Sequence, residues 1–294
     1  MARYLPEVYA LATLLLLSAQ VLVIRAGNRH YSAYSASQIM TWGNLVMLGS
    51  YGLWTEPLRD FTVPAILFYA GSGVFGYTIS RTALYLGYER VGAARTTAVH
   101  GATPLLSSLM AVAWLGEPAG FWVFSGTAGI VAGVWLITME KSSGEWRRRD
   151  ALIPLAAAAG TAFSMICRKK GLLIVDAPAM GVAVSCLTAA SLLPAAWRFA
   201  PRMEGTRCTA RGGAYLALAA LINSVGQFTL MRSILTAGVA YTVPIYSASP
   251  LVVLILAAVF MRQRERLTAR LAWAVFLTVA GAGLIASARH GLLG

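Results

Sequence analysis

Four polar side chains recur along an apolar segment at the spacing of one helix face. In the segment TTAVHGATPLLSSL they are separated by four, three and four residues, in the order Thr96, His100, Thr103, Ser107. An α-helix has about 3.6 residues per turn, so this spacing puts the four side chains on one side of the helix. Hydroxyl and imidazole groups arranged in this way can hydrogen-bond a polar solute, and the imidazole can also carry a proton.

The same pattern returns 146 residues later, in the segment YTVPIYSASPLVVL. Three of its four positions are again polar, and the equivalent pairs are Thr96 with Thr242, His100 with Tyr246, and Thr103 with Ser249. Pro104 and Pro250 are equivalent in the same way, and a proline removes a backbone hydrogen bond and can bend its helix. We predict that both prolines act as hinges; a static kink is the alternative.

The composition indicates a membrane protein. Of the 294 residues, 58% are hydrophobic and 12% are charged, whereas a soluble domain carries about 25% charged residues. The net charge of +13 comes largely from basic residues between the apolar segments, where such residues meet lipid head groups. We therefore expect the lipid bilayer, and no nucleic acid, as the partner of these residues.

Ten apolar segments are long enough to cross a bilayer, which takes about 20 residues per helix. They cover roughly residues 7–25, 35–54, 64–88, 92–115, 120–139, 151–172, 178–197, 213–236, 238–261 and 269–288. The sequence thus predicts an all-α membrane protein with ten transmembrane helices. Five helices per repeat is an odd number, so residues 1–146 and 147–294 are predicted to form two inverted repeats.

The polar faces are predicted to line one substrate cavity near the membrane midplane, between the repeats. Lipid offers no hydrogen bonds, so polar faces within a membrane point toward protein or water. The segment before the first pattern adds Tyr77 and Arg81, which the 146-residue shift relates to Asn223 and Gln227. The predicted substrate-binding residues are Tyr77, Arg81, Thr96, His100, Thr103, Asn223, Gln227, Thr242, Tyr246, Ser249 and Trp42.

Each of these residues alone has a plainer explanation. A single Ser, Thr or His in a membrane helix most often bonds a neighbouring helix or its own backbone. Arg81 can extend its guanidinium to the membrane interface, and Trp42 can equally belong to the core or the interface. The basic run Arg168, Lys169 and Lys170 closes a predicted span and is interpreted as an interfacial anchor. Repetition of the polar face in both halves favours the cavity.

The motifs shared by the two halves resemble the EamA-type members of the drug/metabolite transporter superfamily. Each half has a small-residue helix ending in Ser/Thr-Pro-Leu, a short acidic turn (LGEPAG, then RQRERLT) and a helix closing on Gly-x-x-Leu-Ile. The resemblance covers nearly the whole chain and implies a transporter of amino acids or related metabolites. The second acidic turn departs from the family pattern, because Arg262 and Arg264 crowd Glu265.

The leading interpretation is a secondary transporter that exports a small metabolite across the cytoplasmic (inner) membrane by alternating access. No ATP-binding G-x-x-x-x-G-K-[ST] loop is present, so the substrate gradient or a proton would supply the energy. A flippase or carrier for a phosphate-containing or lipid-linked metabolite is the alternative, and a membrane enzyme ranks below it. The three histidines and three dispersed cysteines form no catalytic or metal-binding pattern, so no enzyme, cofactor or metal is expected.

The loop charges bear on orientation. Basic residues are concentrated in the loops that follow odd-numbered segments. The positive-inside rule places such loops in the cytoplasm, and hence both termini outside. The family resemblance implies the opposite orientation, with both termini inside.

Overall fold

The computed structural model describes residues 5–27, 30–31, 33–56, 58–91, 93–138, 150, 152–197, 208–260 and 269–289. These residues form ten helical rods. The first five are α1 (Leu5–Gly27), α2 (Ala33–Thr55), α3 (Val63–Ser72, Gly73–Ser80 and Arg81–Arg90), α4 (Ala93–His100 and Thr103–Leu115) and α5 (Phe121–Thr138). The last five are α6 (Leu152–Ile174), α7 (Pro178–Trp197), α8 (Ala210–Ala237), α9 (Val239–Tyr246 and Ser249–Phe260) and α10 (Ala269–Arg289).

The prediction of an all-α membrane protein is confirmed at this level. Five described helices are long and apolar enough to cross a membrane, and they are Leu5–Gly27, Val63–Tyr88, Arg95–Leu115, Pro178–Ala196 and Ala210–Ala237. Shorter apolar helices lie at Phe121–Leu136, Val239–Val253 and Trp273–Ala288. Large apolar side chains such as Trp54, Phe121 and Val63 are exposed on the outside of the bundle, as expected of a surface that faces lipid.

Two of the rods are interrupted at equivalent positions. In α4 the interruption falls at Gly101 and Ala102, where the Ala102 amide donates to the carbonyl of Val99 at 3.1 Å. In α9 it falls at Ser247 and Ala248, where the Ala248 amide donates to Ile245 at 3.1 Å. Each interruption therefore carries the same short turn.

The predicted prolines follow these interruptions. Pro104 and Pro250 each occupy the second position of the helical segment that follows the break. A proline is tolerated in the first turn of a helix because the missing N–H would have no partner there. The predicted bends are thus present as helix breaks.

Small residues allow close contact between the helices α5 and α10. A methyl group added to Gly126 would collide with the carbonyl oxygen of Gly281, and one added to Gly133 would collide with the hydroxyl of Thr278. Backbones that approach so closely are held by van der Waals contact, which is the main attraction between helices in lipid. The last helix of the first predicted repeat is thereby packed against the last helix of the second.

Carboxylates cap two helices at one end of the bundle. Glu56, just after α2, accepts hydrogen bonds from the amides of Ala179 and Met180 in α7 at 2.9 and 2.8 Å. Glu117, just after α4, accepts hydrogen bonds from the amides of Val239 and Ala240 in α9. We call this end of the bundle the capped end. A carboxylate at a helix N-terminus satisfies unpaired N–H groups and complements the positive end of the helix dipole.

Candidate binding site: a polar cavity at the helix breaks

A cavity of about 480 Å³ lies between α1, α4, α5, α6, α8 and α9 and reaches both helix breaks. Its volume is within the range of about 300–1,000 Å³ that small-molecule sites occupy. We call it the central cavity. Its polar side chains are those of Gln20, Thr97, His100, Thr103, Thr161, Asn223, Gln227, Tyr246, Ser247 and Ser249.

The helix breaks place hydroxyl groups beside backbone carbonyls of the preceding turn. The Thr103 hydroxyl donates to the carbonyl of His100 at 2.6 Å, and the Ser247 hydroxyl donates to Val243 at 2.8 Å. The Ser249 hydroxyl bonds that of Ser18 at 3.0 Å. Irregular backbone at membrane depth is stable only where such partners or a cavity satisfy it, so break and cavity support each other.

His100 contacts a helix that the sequence pattern did not link to it. Its Nε2 lies 3.3 Å from the hydroxyl of Thr161 on α6. That hydroxyl also lies 2.6 Å from the Ser80 hydroxyl of α3. The imidazole therefore joins a hydroxyl cluster between α3, α4 and α6 while it lines the central cavity.

A chain of amides reaches the central cavity from its other side. The Asn44 Nδ2 donates to Asn223 Oδ1 at 2.7 Å, and Asn223 Nδ2 in turn donates to Gln20 Oε1. The Ser224 hydroxyl donates to Asn44 Oδ1 at 2.8 Å. Because these donors and acceptors are matched, the network fixes Gln20 and Asn223 relative to each other at the cavity wall.

Most of the predicted site residues come together here. The central cavity is lined by six predicted binding residues and both predicted hinges, which are His100, Thr103, Asn223, Gln227, Tyr246, Ser249, Pro104 and Pro250. Their role in binding stays a prediction.

Thr96 and Thr242 lie on the same sequence pattern but point away from the cavity. Both are fully buried. Thr96 packs against the backbone of Gly87 in α3, and the Thr242 hydroxyl bonds that of Ser233 in α8 at 2.9 Å. These two residues therefore join helices, whereas His100 and Tyr246, one turn later, line the cavity.

Trp42 is also placed elsewhere. Its side chain is 51% exposed, whereas its neighbours Thr41 and Asn44 are almost fully buried. Successive residues of a helix point in different directions, and the inward face of α2 is taken by Thr41 and Asn44. Trp42 is thus not among the described residues that line the central cavity, and its role in binding stays a prediction.

Tyr77 and Arg81 lie one layer behind the cavity wall. The Arg81 guanidinium donates to the hydroxyls of Ser37 and Thr41 on α2, at 2.8 and 3.3 Å. It also lies over the ring of Tyr77, 5.2 Å from the centroid. The structure thus places Arg81 inside the bundle, between α2 and α3.

Two residues of the basic run on α6 contradict the interpretation of the run as an interfacial anchor. Arg168 is only 3% exposed and Lys169 only 9%. The Lys169 ammonium donates to the carbonyls of Ile234 and Leu235 at the end of α8, at 2.8 and 2.9 Å. Both cations lie within α6, which continues to Ile174, and their side chains face the protein.

Arg168 is the residue that the sequence interpretation missed. Its Nε donates to the Ser72 hydroxyl at 3.1 Å, Nη1 to Gln227 Oε1 at 2.8 Å and Nη2 to the Tyr77 hydroxyl at 3.0 Å. The signal that could have found it is the spacing of Thr161, Ser164 and Arg168, three and four residues apart. That spacing is a polar face of α6, similar to the one on α4.

Comparisons with known proteins agree with this architecture. Residues 5–139 match the model of the EamA-like transporter family. A crystal structure described only as that of a protein is similar in fold, with a TM-score of 0.78 and 18% identity, over 98% of this chain and 99% of that chain. At this identity the likeness concerns the fold alone. A search of curated proteins gives no match. Residues 5–139, which include α1 to α5, are therefore similar to the EamA-like transporter family.

Proposed function

We propose that the chain is a secondary transporter that exports a small metabolite, such as an amino acid or a related compound, across the cytoplasmic (inner) membrane. The observation that carries the proposal is the central cavity, where two helix breaks meet a ring of neutral polar side chains. Hydroxyls, amides and an imidazole suit a solute with several hydrogen-bonding groups. The family, described as transporters, supports transport and not catalysis.

The proposed mechanism is alternating access between two inverted five-helix repeats, residues 1–146 and 147–294. The turns at Ala102 and Ala248 support the repeat, because they have the same backbone hydrogen bond and lie 146 residues apart in the chain. Breaks of this kind let one part of a helix move while the other stays packed, and transporters built from repeats bind substrate at such breaks. Pro104 and Pro250 are the proposed hinges.

Transport by proteoliposomes tests the proposal. Vesicles that contain the purified chain are loaded with a panel of unlabelled amino acids, and exchange for the labelled amino acid outside is measured. Exchange with at least one amino acid above that of empty vesicles is expected. Ser249→Ala, which removes a cavity hydroxyl, should slow this exchange. Ser191→Ala is the matched control, because Ser191 is exposed on α7 and its hydroxyl donates to the carbonyl of Leu187 in the same helix.

Two results would count against the proposal. Vesicles that exchange none of the amino acids faster than empty vesicles would reject this substrate class. Equal rates for Ser249→Ala, Ser191→Ala and the unmodified chain would separate transport from the central cavity. Efflux that is faster than uptake under equal gradients would support export.

A further inference from the structure

A buried cation lies beside the central cavity with only neutral partners among the described residues. The Arg168 guanidinium bonds the Ser72 hydroxyl, the Gln227 amide oxygen and the Tyr77 hydroxyl. The residue lies six positions before the end of α6 at Ile174, which is about 9 Å along a helix. Arg168 is also only 3% exposed, so protein and not lipid head groups surrounds its guanidinium.

No carboxylate balances this charge in the part of the chain that the structure describes. Asp176 pairs with Arg232 at the capped end, at 3.1 Å. A buried charge without a counter-ion is costly, because the hydration it loses is not replaced. In membrane proteins such residues mark substrate or ion pathways. The described partners of Arg168 thus leave its positive charge without a neutralising group.

A second cation converges on the same ring. The guanidinium carbon of Arg168 lies 5.4 Å from the centroid of Tyr77, and that of Arg81 lies 5.2 Å from it. Two like charges on one aromatic ring repel each other. An anion bound near both guanidinium groups would reduce this repulsion and would neutralise part of the buried positive charge.

The central cavity gives an anion access to Arg168 through Gln227. This side chain lines the cavity, and its Oε1 is the acceptor for Arg168 Nη1. An oxygen of a bound anion can replace Oε1 when the amide rotates away. A guanidinium has five N–H donors, and three are used by the described residues. The remaining donors can complete a two-pronged contact with a carboxylate or phosphate.

We infer that Arg168, assisted by Arg81 and Tyr77, binds the anionic group, carboxylate or phosphate, of a small solute held in the central cavity. This inference rests on the proposed function and narrows its substrate class to anionic metabolites. The polar neutral wall around His100, Thr103 and Asn223 would then hold the rest of the solute. Gln227 would be the side chain that moves when the anion arrives.

Thermal unfolding of the detergent-solubilised full chain tests the inference, because a ligand of the folded state raises its stability. The probes are acetate and inorganic phosphate, with chloride at matched ionic strength and uncharged acetamide as references. At least one of the two anions is expected to raise the unfolding temperature above both references. A response to acetate alone indicates a carboxylate, and a response to phosphate alone a phosphate group.

Variants assign the response to Arg168. R168Q should abolish the stabilisation by the anion. R168K keeps the positive charge but loses the paired N–H donors of the guanidinium, and should reduce the stabilisation. R232Q is the control, since it removes an arginine at the capped end and should leave the response unchanged. No response to either anion, or an equal response in R168Q, overturns the inference. If R168Q does not fold, an undiminished response in R168K overturns it.

The two proposals fail in different ways. Anion-dependent stabilisation without transport of any solute would reject the transporter and leave the anion site. Transport of uncharged solutes alone, without anion-dependent stabilisation, would reject the anion site and leave the transporter.

Discussion

Glu117 and Lys169 hold the two sides of one tight turn. The Glu117 carboxylate accepts hydrogen bonds from the amides of Val239 and Ala240 at 2.9 and 2.8 Å, at the start of α9. The Lys169 ammonium donates to two carbonyls at the end of α8. Gly238 alone separates these helices. An anion at a helix start and a cation at a helix end both complement the helix dipoles, so the turn is neutralised from both sides.

Removing the Glu117 charge should loosen this end of the bundle. We expect E117Q to lower the stability of the folded chain by about 1–2 kcal/mol, because charged hydrogen bonds to two cap amides are lost. E56Q removes the equivalent cap of α7 and should act similarly. The measurement is the thermal unfolding midpoint of the purified chain in detergent.

The control is D60N, which removes an exposed carboxylate that caps none of these helices. E117Q and Lys169→Gln should also be less than additive when combined, because both residues hold the same turn. A midpoint for E117Q equal to that of D60N would mean that the cap contributes nothing to stability.

Gly238 is predicted to tolerate no side chain. Its φ angle is +90°, and an added Cβ would lie 2.7 Å from Oε2 of Glu117. We expect G238A to cost about 1–3 kcal/mol, the usual range for a strained backbone conformation, in addition to the displaced carboxylate. The unfolding midpoint of the detergent-solubilised chain again provides the measurement.

G213A is the matched control for this substitution. A Cβ on Gly213 would meet nothing within 4 Å, and alanine favours a helix over glycine by about 1 kcal/mol. The two variants should therefore move the midpoint in opposite directions. If both variants raised it, the strain assigned to Gly238 would be absent.

The sequence predicted the cavity where a pattern occurred in both halves. His100 with Tyr246 and Thr103 with Ser249 line it from α4 and α9, since they face inward at the helix breaks. Thr96, one turn earlier, faces α3 instead. Periodicity gives the face of a helix but not the neighbour on which each part of that face packs.

Arg168 could not be assigned from the same argument. A basic run near the end of an apolar span is ordinarily an interfacial anchor, and the burial of Arg168 decides between the two interpretations. The polar face shared by Thr161, Ser164 and Arg168 was present in the sequence. Its meaning depends on Ser72 and Gln227, which come from helices distant in the chain.

His100 is predicted to contribute to solute binding or passage. We expect H100A to lower the transport rate by about 2–10-fold, the effect of losing one hydrogen bond. Uptake of the transported solute into proteoliposomes provides the measurement. H30A is the control, because His30 stacks on Tyr215, with centroids 6.2 Å apart, outside the central cavity. Uptake by H100A at the unmodified rate would make His100 a packing residue bonded to Thr161.

The prolines at the helix breaks are predicted to be needed for movement and not for binding. An alanine at position 104 restores an N–H directed at the carbonyl of His100, and one at position 250 does so for Tyr246, so each helix can close across its break. We expect P104A and P250A to slow uptake severalfold. The stabilisation by a bound solute should stay unchanged, because the cavity side chains remain.

The control and the measurement separate a hinge from a static kink. P154A removes a proline from the first turn of α6, a helix that continues without a break to Ile174, and should leave uptake unchanged. A hinge requires that the rate falls while binding is retained. Uptake at the unmodified rate in both P104A and P250A would show that the breaks only shape the cavity, since chains able to close their helices would still move the solute.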